Sequence, residues 1–582
     1  MSLTFFLLSS GYCVFTKPMK FTIFHTNDMH GWYDSHPRES NLDGTFPDYE
    51  NMVNYKKSRK NEDEVVFAFD SGDHTQGTGL SDATDPPGTL PFKLLKLSSI
   101  DATTPGNHEL YDTTSVVFMK DYVSRELKDR YLCGNTFFKD GDKIVEFGTK
   151  YRIIPVPNIG NMLVLGMLYT FEGGSERSYV QPVQEVLEET WLKEVLQTDD
   201  IQLVILLIHN SPQHKETTLF RDLIRSNLHD VPLIILGGHS HELINDLETD
   251  NELHIESGGF FRYFSMIEFT LTDSAKHNRG AGLNMDNVQV SQLPTSLSSF
   301  KKAVGFQEQG TSEWESPQAK EMRILIKDVQ KTFKLTEEIG CSPNEFPNQP
   351  SHKNSLYRLV VDQIYPKMKS FQPTKGPDTA NKRNYIYLIN NASQRSSLYK
   401  GSITQNDLYS IEPFQNFLCA IRNVSGADWK ELQTRKIMKC DFWFDGLSMD
   451  HQNDQDLTHL SQSNEEPVEF IPRYLFTNIS TRDEDRIDLI STTYDCSRIS
   501  KVFESFLPGK YKIEHSTIKT RDVYFDYITK YLKCRRNPVK SSVIFSIIAA
   551  VGGVALAALL IVVFVCCCRK KKKDYTYVPI ND

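Results

Sequence analysis

The sequence predicts an α/β fold with two folded domains and one C-terminal transmembrane helix. Apolar runs of strand length in the first half of the chain each end in a short motif that contains aspartate, asparagine or histidine. A length of 582 residues is also too great for a single hydrophobic core. An uncharged apolar run near the C-terminus is long enough to cross a bilayer.

The first apolar segment, residues 5–15, comes just before the predicted fold. It is short and mostly apolar, as in the hydrophobic part of a secretory signal peptide, but it lacks a basic region before it. We predict a signal peptide over residues 1–17. The alternative is an N-terminal remnant of no significance.

Polar motifs follow the predicted strands of the first domain. Apolar runs at 21–24, 65–69, 203–208 and 233–236 predict buried strands whose carboxyl ends meet at one edge. The motifs are HTNDMHG at 25–31, DSGD at 70–73, GNHE at 106–109, IHN at 208–210 and GGHSH at 237–241. D-x-H, Gly-Asp and H-x-H are each weak alone, since Gly-Asp is more often a turn and a buried histidine more often a core residue, whereas GNHE is a stronger signal. Together they predict a site for two divalent cations that would activate water and neutralise charge on a phosphate ester.

In this order the motifs resemble those of the calcineurin-like metallophosphoesterases, and within them the 5′-nucleotidase family. The family pattern is D-x-H, G-D, G-N-H-E, a lone histidine and G-H-x-H. The resemblance implies a four-layered αββα metallophosphoesterase domain over residues 18–293 and activity as a metal-dependent phosphoric ester hydrolase. One metal would be held by Asp28, His30, Asp73 and His241, and the other by Asp73, Asn107, His209 and His239, with Asp73 bridging. Such ligands suit zinc, manganese or iron.

The same resemblance makes His108 a catalytic residue that stabilises the transition state and assists the leaving group. The family usually has an aspartate three residues after this histidine to orient its ring. Here Tyr111 stands at that position and Asp112 one residue further. An orienting partner fixes the histidine tautomer and raises its basicity. We predict Asp112 as the catalytic partner of His108 and leave Tyr111 as the alternative.

A linker over residues 294–341 follows the first domain. The first domain ends with residues 255–263 and an alternating strand at 266–271, where the family has a return strand. In the linker, apolar residues at helical spacing predict a helix that connects the two domains. These residues are Met322, Leu325, Ile326, Val329 and Phe333.

The second domain, predicted over residues 342–535 with an α+β fold, resembles the substrate domain of the same family. Motifs at 390–395, 401–408 and 412–416 are similar to N-G-G-G-I-R, G-x-I-T-x-G-D-L and P-F-x-N. The resemblance implies that Asn390 and Arg395 contact phosphate or ribose and that Phe414 stacks on a base. A guanidinium group suits phosphate because it donates two parallel hydrogen bonds, and aromatic rings stack on nucleobases.

Two departures from the family motifs in this domain leave the identity of the substrate open. The three family glycines are replaced at residues 391–393, and the later G-G-D-G-F motif, which supplies a second ring, is absent from residues 494–499. The first prediction is hydrolysis of nucleoside 5′-monophosphates. The alternatives are a phosphatase or phosphodiesterase for another small ester and, from a different class, a catalytically retired surface receptor or adhesion protein.

The C-terminal run predicts a membrane anchor. Residues 543–565 form a 23-residue apolar stretch that spans about 34 Å as a helix, against roughly 30 Å of bilayer core. Three cysteines and five basic residues follow, which predicts a cytosolic tail over residues 566–582. The expected localisation is a single-pass type I membrane protein at the cell surface or in an endolysosomal or vacuolar compartment.

Cysteines and sequons are consistent with an extracytosolic position, and the net charge limits the partners. Outside the leader and the membrane edge, six cysteines permit three disulfides without fixing their pairing: Cys133, Cys341, Cys419, Cys440, Cys496 and Cys534. Glycosylation sequons begin at Asn391, Asn423 and Asn478. A net charge of −10 argues against long nucleic acids as partners and leaves small phosphorylated solutes.

Overall fold

The computed structural model describes residues 18–249, 251–273, 283–307, 314–368, 384–390, 393–434, 441–442, 473–476 and 481–534. Predictions that lie outside these ranges are the signal peptide at 1–17, the transmembrane helix at 543–565, the tail at 566–582, and Asn391, Cys440 and Asn478. Among the helices of the described ranges, none combines the length and apolar character needed to cross a membrane. The described residues up to Leu532 form one compact unit.

The first half of the chain contains fourteen described strands and most of the helices that cover them. The strands are β1 Met19–Thr26, β2 Glu64–Asp70, β3 Ala102–Thr103, β4 Thr136–Asp140, β5 Lys143–Glu146, β6 Tyr151–Val156, β7 Gly160–Leu168, β8 Ser178–Val180, β9 Ile201–His209, β10 Leu233–Leu236, β11 Leu243–Thr249, β12 Glu252–Ser257, β13 Tyr263–Asp273 and β14 Leu283–Pro294. The helices are α1 Phe46–Ser58, α2 Gly79–Asp82, α3 Thr89–Leu97, α4 Thr113–Tyr122, α5 Val183–Val186, α6 Thr190–Val195, α7 Lys215–Asn227, α8 Leu297–Ala303 and α9 Pro317–Thr332.

Two sheets pack face to face in this half. Their strand orders are β14-β13-β1-β2-β3 and β11-β12-β10-β9-β7-β6. Alternate residues of β1 point to opposite faces: Ile23 lies in the core between the sheets, whereas Phe24 packs with α1 and α3 on the outer face. Leu206 of β9 packs likewise with α7 on the outer face of the second sheet. Burial on both faces explains why the strands are continuous apolar runs rather than alternating ones.

Helix α9 corresponds to the predicted connecting helix, and it packs on the first half of the chain. Ser316 caps its N-terminus and Pro317 occupies the first turn. Met322 and Ile326 are buried in the cluster that contains α1 and α3. The segment that follows reaches the second half, because Leu335 accepts a backbone hydrogen bond from Asn406 at 2.8 Å.

The second half has a mixed sheet with helices on its faces. Its elements are β15 Glu338–Ser342, α10 Leu356–Leu359, β16 Asn384–Asn390, β17 Gly401–Thr404, α11 Gln405–Ile411, β18 Phe417–Ser425, α12 Gly426–Thr434, β19 Asp441–Phe442, β20 Arg473–Phe476, β21 Arg486–Thr492, α13 Thr493–Phe506, β22 Ile513–Lys519 and α14 Thr520–Tyr531. The main sheet has the order β19-β20-β16-β21-β18-β22. A disulfide between Cys419 and Cys496 joins β18 to α13.

Cysteine pairing differs from the three disulfides that six residues would permit. Cys133 is a free thiol, only 2% exposed, inside the apolar cluster around α3 and α4. A thiol in such a position behaves as a small apolar side chain. The even number of cysteines therefore did not mean that all six form disulfides.

Candidate metal centre and active site

The ends of parallel strands bring the predicted metal ligands together. Strands β1, β2 and β3 are mutually parallel, as are β9 and β10. Asp28 and His30 follow β1, Asp73 follows β2, and His209 is the last residue of β9. The GNHE segment follows β3, and the last two histidines, His239 and His241, follow β10. The motifs thus meet at one edge because the strands before them run in the same direction.

Three groups of side chains lie close enough to hold metal ions. One group is Asp28, His30 and His241, a second is Asp73, His209 and His239, and a third joins His30 and Asp73 with His108. In the first group, His241 Nε2 is 3.2 Å from Asp28 Oδ1. In the second, His209 Nε2 is 3.1 Å from Asp73 Oδ2. His30 Nε2 lies 3.7 Å from each carboxylate, so the groups adjoin.

Five of these residues have backbones in the left-handed region. Their φ angles lie between 46° and 75°, where residues other than glycine are uncommon. Such conformations persist only where the surrounding structure enforces them, and they cluster at functional sites. The five residues are Asp28, His30, Asp73, His239 and His241. The fold therefore turns the backbone sharply after each strand to aim these side chains inward.

Three ligand atoms are buried without any hydrogen-bond partner in the protein. They are Asp28 Oδ1, Asn107 Oδ1 and His209 Nε2. A buried polar atom without a partner costs about 1–3 kcal/mol, so three at one place require an explanation. Each is an atom type that binds divalent metals, and all three belong to the predicted ligand set. The residues present therefore fit a pair of divalent cations.

The opposite atoms of the same side chains are anchored to the protein. His209 Nδ1 donates to the Ser71 carbonyl at 2.7 Å, and His30 Nδ1 donates to the Thr75 carbonyl at 2.9 Å. Each bond fixes the orientation of its ring and aims Nε2 at the centre. Asn107 donates from Nδ2 to the Tyr111 hydroxyl at 3.2 Å, which leaves its Oδ1 facing the site. Tyr111 thus positions a candidate ligand rather than His108.

Burial and neighbouring charges shift the pKa values of the carboxylates and histidines at the site. Burial opposes ionisation of Asp28, but His241 and His209 outweigh it and hold the pKa of Asp28 well below its usual range. The pKa of Asp73 is likewise lowered, by His209 and His108, against burial. For His209, burial lowers the pKa and the two carboxylates raise it by more, to about 10. Burial lowers the pKa of His239 to about 3. The centre therefore combines two ionised carboxylates with imidazole nitrogens.

Glu109, the last residue of the GNHE motif, was not among the predicted site residues. It is 2% exposed, and its carboxylate accepts hydrogen bonds from the backbone N–H groups of Gly106, Asp73, His74 and Thr75 at 2.8–3.1 Å. One side chain thus ties the loop after β2 to the loop after β3. The local sequence gave no signal for this contact, because three of the four backbone partners lie 34 to 36 positions away along the chain.

The predicted pairing of Asp112 with His108 is wrong. Asp112 caps the N-terminus of α4, where its carboxylate accepts from the Ser115 N–H at 2.8 Å and from the Thr114 hydroxyl at 2.6 Å. Its backbone is extended, so the chain turns into α4 instead of bulging toward the histidine. Helix capping, a local interaction of about 1 kcal/mol, therefore determines the position of this carboxylate.

Two predicted residues of the second half, Arg395 and Phe414, lie at the centre, and a third, Asn390, does not. Arg395 Nη2 donates to His108 Nε2 at 2.7 Å. The Arg395 guanidinium lies 5.5 Å from the Phe414 ring centre and 5.8 Å from that of Phe260. Asn390, in contrast, is buried and donates to Asp495 at 2.6 Å, so its amide serves the second half's own structure.

Phe260 is a further residue without a predicted role. Its ring lies 5.2 Å from that of His30 and 4.8 Å from that of His241, and its backbone has φ 58°. Its N–H donates to the Asp28 carbonyl at 2.6 Å. For the segment that contains it, residues 255–263, the sequence indicated only a return strand of the fold. The structure shows that it forms an apolar wall beside two candidate ligands.

Comparisons with known proteins agree with this geometry. Residues 21–243 match the calcineurin-like phosphoesterase family, and residues 347–467 match the NAD nucleotidase C-terminal domain. The crystal structure of 5′-nucleotidase from Candida albicans has a TM-score of 0.72 at 21% identity, covering 88% of this chain and 97% of that one. The chain therefore has a mixed α/β metallophosphoesterase fold with a C-terminal domain. The family match over residues 21–243 supports metal-dependent phosphoester hydrolysis, and the likeness to the solved structure shows the fold.

Curated relatives are known from several fungi. An uncharacterized protein of Saccharomyces cerevisiae is 28% identical over 417 residues, which make up 67% of this chain and 66% of that protein. A protein of Arthroderma benhamiae named as a secreted protein is 26% identical over 451 residues, 70% of this chain and 66% of the relative. The chain thus spans about two thirds of the length of these relatives.

The predicted localisation is corrected by one of these relatives. The sequence predicted a single-pass type I membrane protein, but the relative from Arthroderma benhamiae is named as secreted. Apolar length is a requirement for crossing a bilayer, and it does not by itself establish where a mature protein resides. The membrane localisation was therefore wrong, and it forms no part of the proposals below.

Proposed function

We propose that this chain, whose residues 21–243 are a calcineurin-like phosphoesterase domain, uses two divalent metals to hydrolyse small phosphate esters, with nucleoside 5′-monophosphates as preferred substrates. The observation that carries the proposal is the set of three buried, unpartnered ligand atoms on Asp28, Asn107 and His209, beside the guanidinium of Arg395. A phosphate ester needs positive charge on both sides of phosphorus. The bound metals, held by the first half, and Arg395 of the second half would supply it.

Each residue of the centre has a distinct role in this proposal. Two metals would be held by Asp28, His30, Asp73, Asn107, His209, His239 and His241, and when bound they supply an activated water and neutralise the phosphoryl charge. His108 presents Nε2 toward the centre, where it assists departure of the alcohol. Arg395 turns from His108 to the phosphate of the substrate, since its planar fork matches phosphate oxygens.

Nucleotide preference rests on the second half of the chain. The Phe414 ring lies 6.3 Å from the His108 ring, so a base stacked on Phe414 would stand next to the scissile bond. Asn390 does not contact substrate in this proposal. Its bond to Asp495 instead holds the start of the segment that leads to Arg395.

A second candidate substrate is a dinucleotide joined by a pyrophosphate. It is favoured by the match of residues 347–467 to the NAD nucleotidase C-terminal domain. The alternative of a phosphatase or phosphodiesterase for another small ester also stays open. These candidates share the metal chemistry and differ only in what lies on the leaving side of phosphorus.

Phosphate release from AMP by the full chain, with added zinc or manganese, tests the proposal. NAD with a coupled phosphatase forms a parallel arm. Asp73→Asn should lower turnover by more than about 100-fold, because even the outer partners of metal ligands contribute 10–100-fold. Asp230→Asn, the same change at an exposed position, is the control and should retain full activity.

The outcomes separate the three readings of the chain. Chelator-sensitive release from AMP that Asp73→Asn abolishes supports a 5′-nucleotidase. Activity on NAD without activity on AMP supports the dinucleotide candidate. Metal bound at two ions per chain, with no turnover of either compound or of a generic aryl phosphate, contradicts the proposal and supports a retired receptor.

A further inference from the structure

The imidazole of His108 is held from both sides. Its Nδ1 lies 2.5 Å from Gln76 Oε1, and its Nε2 lies 2.7 Å from Arg395 Nη2. An amide oxygen can only accept a hydrogen bond and a guanidinium can only donate one. Both contacts therefore require the same tautomer, with hydrogen on Nδ1 and a free lone pair on Nε2.

Gln76 is itself fixed by the loop that contains it. Its backbone has φ 63°, in the left-handed region, and its N–H donates to Asp82 Oδ1 at 3.1 Å. The next N–H, of Gly77, donates to Asp82 Oδ2 at 2.8 Å. A Cβ on Gly77 would come within 2.2 Å of the His30 carbonyl oxygen, so the loop is packed closely against a candidate metal ligand. The position of the Gln76 amide thus follows from the same loop that holds the metal centre.

The other candidates for orienting His108 have different partners. Asp112 caps α4, and the Tyr111 hydroxyl accepts from Asn107. Tyr111 touches His108 only through its ring, at 5.2 Å between ring centres. Among the residues that the structure describes, the bond from His108 Nδ1 goes to Gln76.

We propose that Gln76 is the positioning residue for His108, in place of the aspartate that the 5′-nucleotidase family has three residues after the histidine. The proposal rests on the proposed function, because it assigns a role within the same reaction. A glutamine oxygen accepts from Nδ1–H as a carboxylate does, but it has no charge. It therefore fixes the direction of Nε2 without the electrostatic pull that a carboxylate would exert on the ring.

The direction of Nε2 matters at one step. Once Arg395 has turned to the substrate phosphate, Nε2 takes up a proton from solvent while Nδ1–H stays bonded to Gln76. As the bond between phosphorus and the leaving oxygen breaks, the electron pair stays on that oxygen, and the proton on Nε2 passes to it. The ring later regains a proton from solvent. A ring rotated about its Cβ–Cγ bond would present a carbon to the leaving oxygen, and this proton transfer would fail. Positioning by Gln76 therefore affects the departure of poor leaving groups and not the binding of phosphate.

Comparing turnover of substrates with poor and good leaving groups isolates this role. The ribose 5′-hydroxyl of AMP needs a proton to depart, whereas p-nitrophenolate leaves readily as an anion. Gln76→Met keeps a side chain of similar length without the accepting oxygen. We expect it to lower kcat for AMP by about 10–100-fold, with KM nearly unchanged, and to lower kcat for p-nitrophenyl phosphate by less than about threefold, because proton donation contributes little there.

Three further variants define the result. Gln76→Glu retains an accepting oxygen and should restore most of the activity on AMP. His108→Ala should show the same selectivity as Gln76→Met, and adding Gln76→Met to it should cause no further loss, since both changes remove one unit. Asp112→Asn is the matched control in the same cavity and should leave the ratio of the two substrates unchanged.

Two kinetic results would overturn the proposal. Equal loss on both substrates in Gln76→Met would show a general structural role, and a selective loss in Asp112→Asn would assign the role to that carboxylate. If the unaltered chain hydrolyses neither compound, the proposed function fails instead. The imidazole ¹⁵N signals of metal-free, histidine-labelled protein then decide separately: His108 should show hydrogen on Nδ1, and Gln76→Met should lose that single tautomer. Unchanged signals would contradict the positioning role.

Discussion

Replacing Glu109 by glutamine should weaken metal binding while leaving the chain folded. The Glu109 carboxylate accepts four backbone N–H groups and the Thr75 hydroxyl. Those N–H groups belong to the loop that contains Asp73 and to Gly106, next to the candidate ligand Asn107. The side chain therefore sets the distance between two loops that must reach the same metals.

The free-energy cost of the substitution depends on which hydrogen bonds each Glu109 oxygen accepts. Oε1 accepts from His74 and Thr75, and Oε2 accepts from Gly106 and Asp73. A glutamine keeps one oxygen and turns an NH₂ group toward two backbone donors. Two unpaired donors cost about 2–6 kcal/mol at about 1–3 kcal/mol each. Burial raises the pKa of Glu109, which means that removing the charge offsets part of this cost.

We therefore expect a net effect near the lower limit, about 2 kcal/mol. If this cost displaces Asp73 from its position as a ligand, metal affinity falls by roughly 30-fold, since 1.4 kcal/mol corresponds to a factor of ten. Calorimetric titration of the metal-free protein with zinc or manganese measures this directly. Thermal unfolding in excess chelator reports the stability of the fold separately.

Glu50→Gln is the matched control. Glu50 is 1% exposed and accepts from the Ser99 N–H at 2.8 Å and its hydroxyl at 2.6 Å, but it lies on α1 away from the metal ligands. This variant should lose thermal stability and keep the metal affinity of the unaltered chain. The reasoning is refuted if Glu109→Gln binds metal within about threefold of the unaltered protein, or if both variants weaken binding equally.

The remaining predictions concern the second half and the metals. Burial raises the pKa of Glu412 from 4.5 to about 7, so the native state binds this proton more tightly than the unfolded state, and the free energy of unfolding should fall by up to about 3 kcal/mol as pH rises from about 4.5 to about 7. Denaturant unfolding of Glu412→Gln should lack this fall, and an identical pH profile in both proteins would contradict it. Phe414→Ala should raise KM for AMP by about 5–150-fold, the equivalent of about 1–3 kcal/mol of stacking, whereas Phe417→Ala, at an exposed ring, should not. Removal of metal by a chelator should lower the free energy of unfolding by about 2.7 kcal/mol relative to metal at 100 times its Kd; an unchanged melting temperature would argue against bound metal.

Local patterns in the sequence predicted the strands and the ligand candidates well. The apolar runs before Asp28, Asp73, His209 and His239 are strands β1, β2, β9 and β10, and the four residues meet in two adjoining groups. This success has a simple cause. An apolar run and a metal-binding residue type are both visible within a few residues, and parallel strands then bring the ends of the runs to one edge.

One error was avoidable from the sequence. Asp112 directly precedes helix α4, and aspartate is among the residues preferred at an N-cap. The expectation that Asp112 would orient His108 placed a family resemblance above that local preference. The Asp112 carboxylate accepts from the Ser115 N–H, three residues away, and this local bond holds it at the start of the helix.

What the sequence by itself determined is the α/β class, the buried strands that precede the motifs and the types of residue at the metal centre. Only the tertiary structure decided which groups orient them. Gln76 meets His108 across 32 positions of the chain, and Arg395 meets it across 287. Strands and motifs depend on neighbours in the chain, whereas a hydrogen-bond partner is chosen among all groups that folding brings within about 3 Å. Distances of that kind exist only once the whole chain has packed.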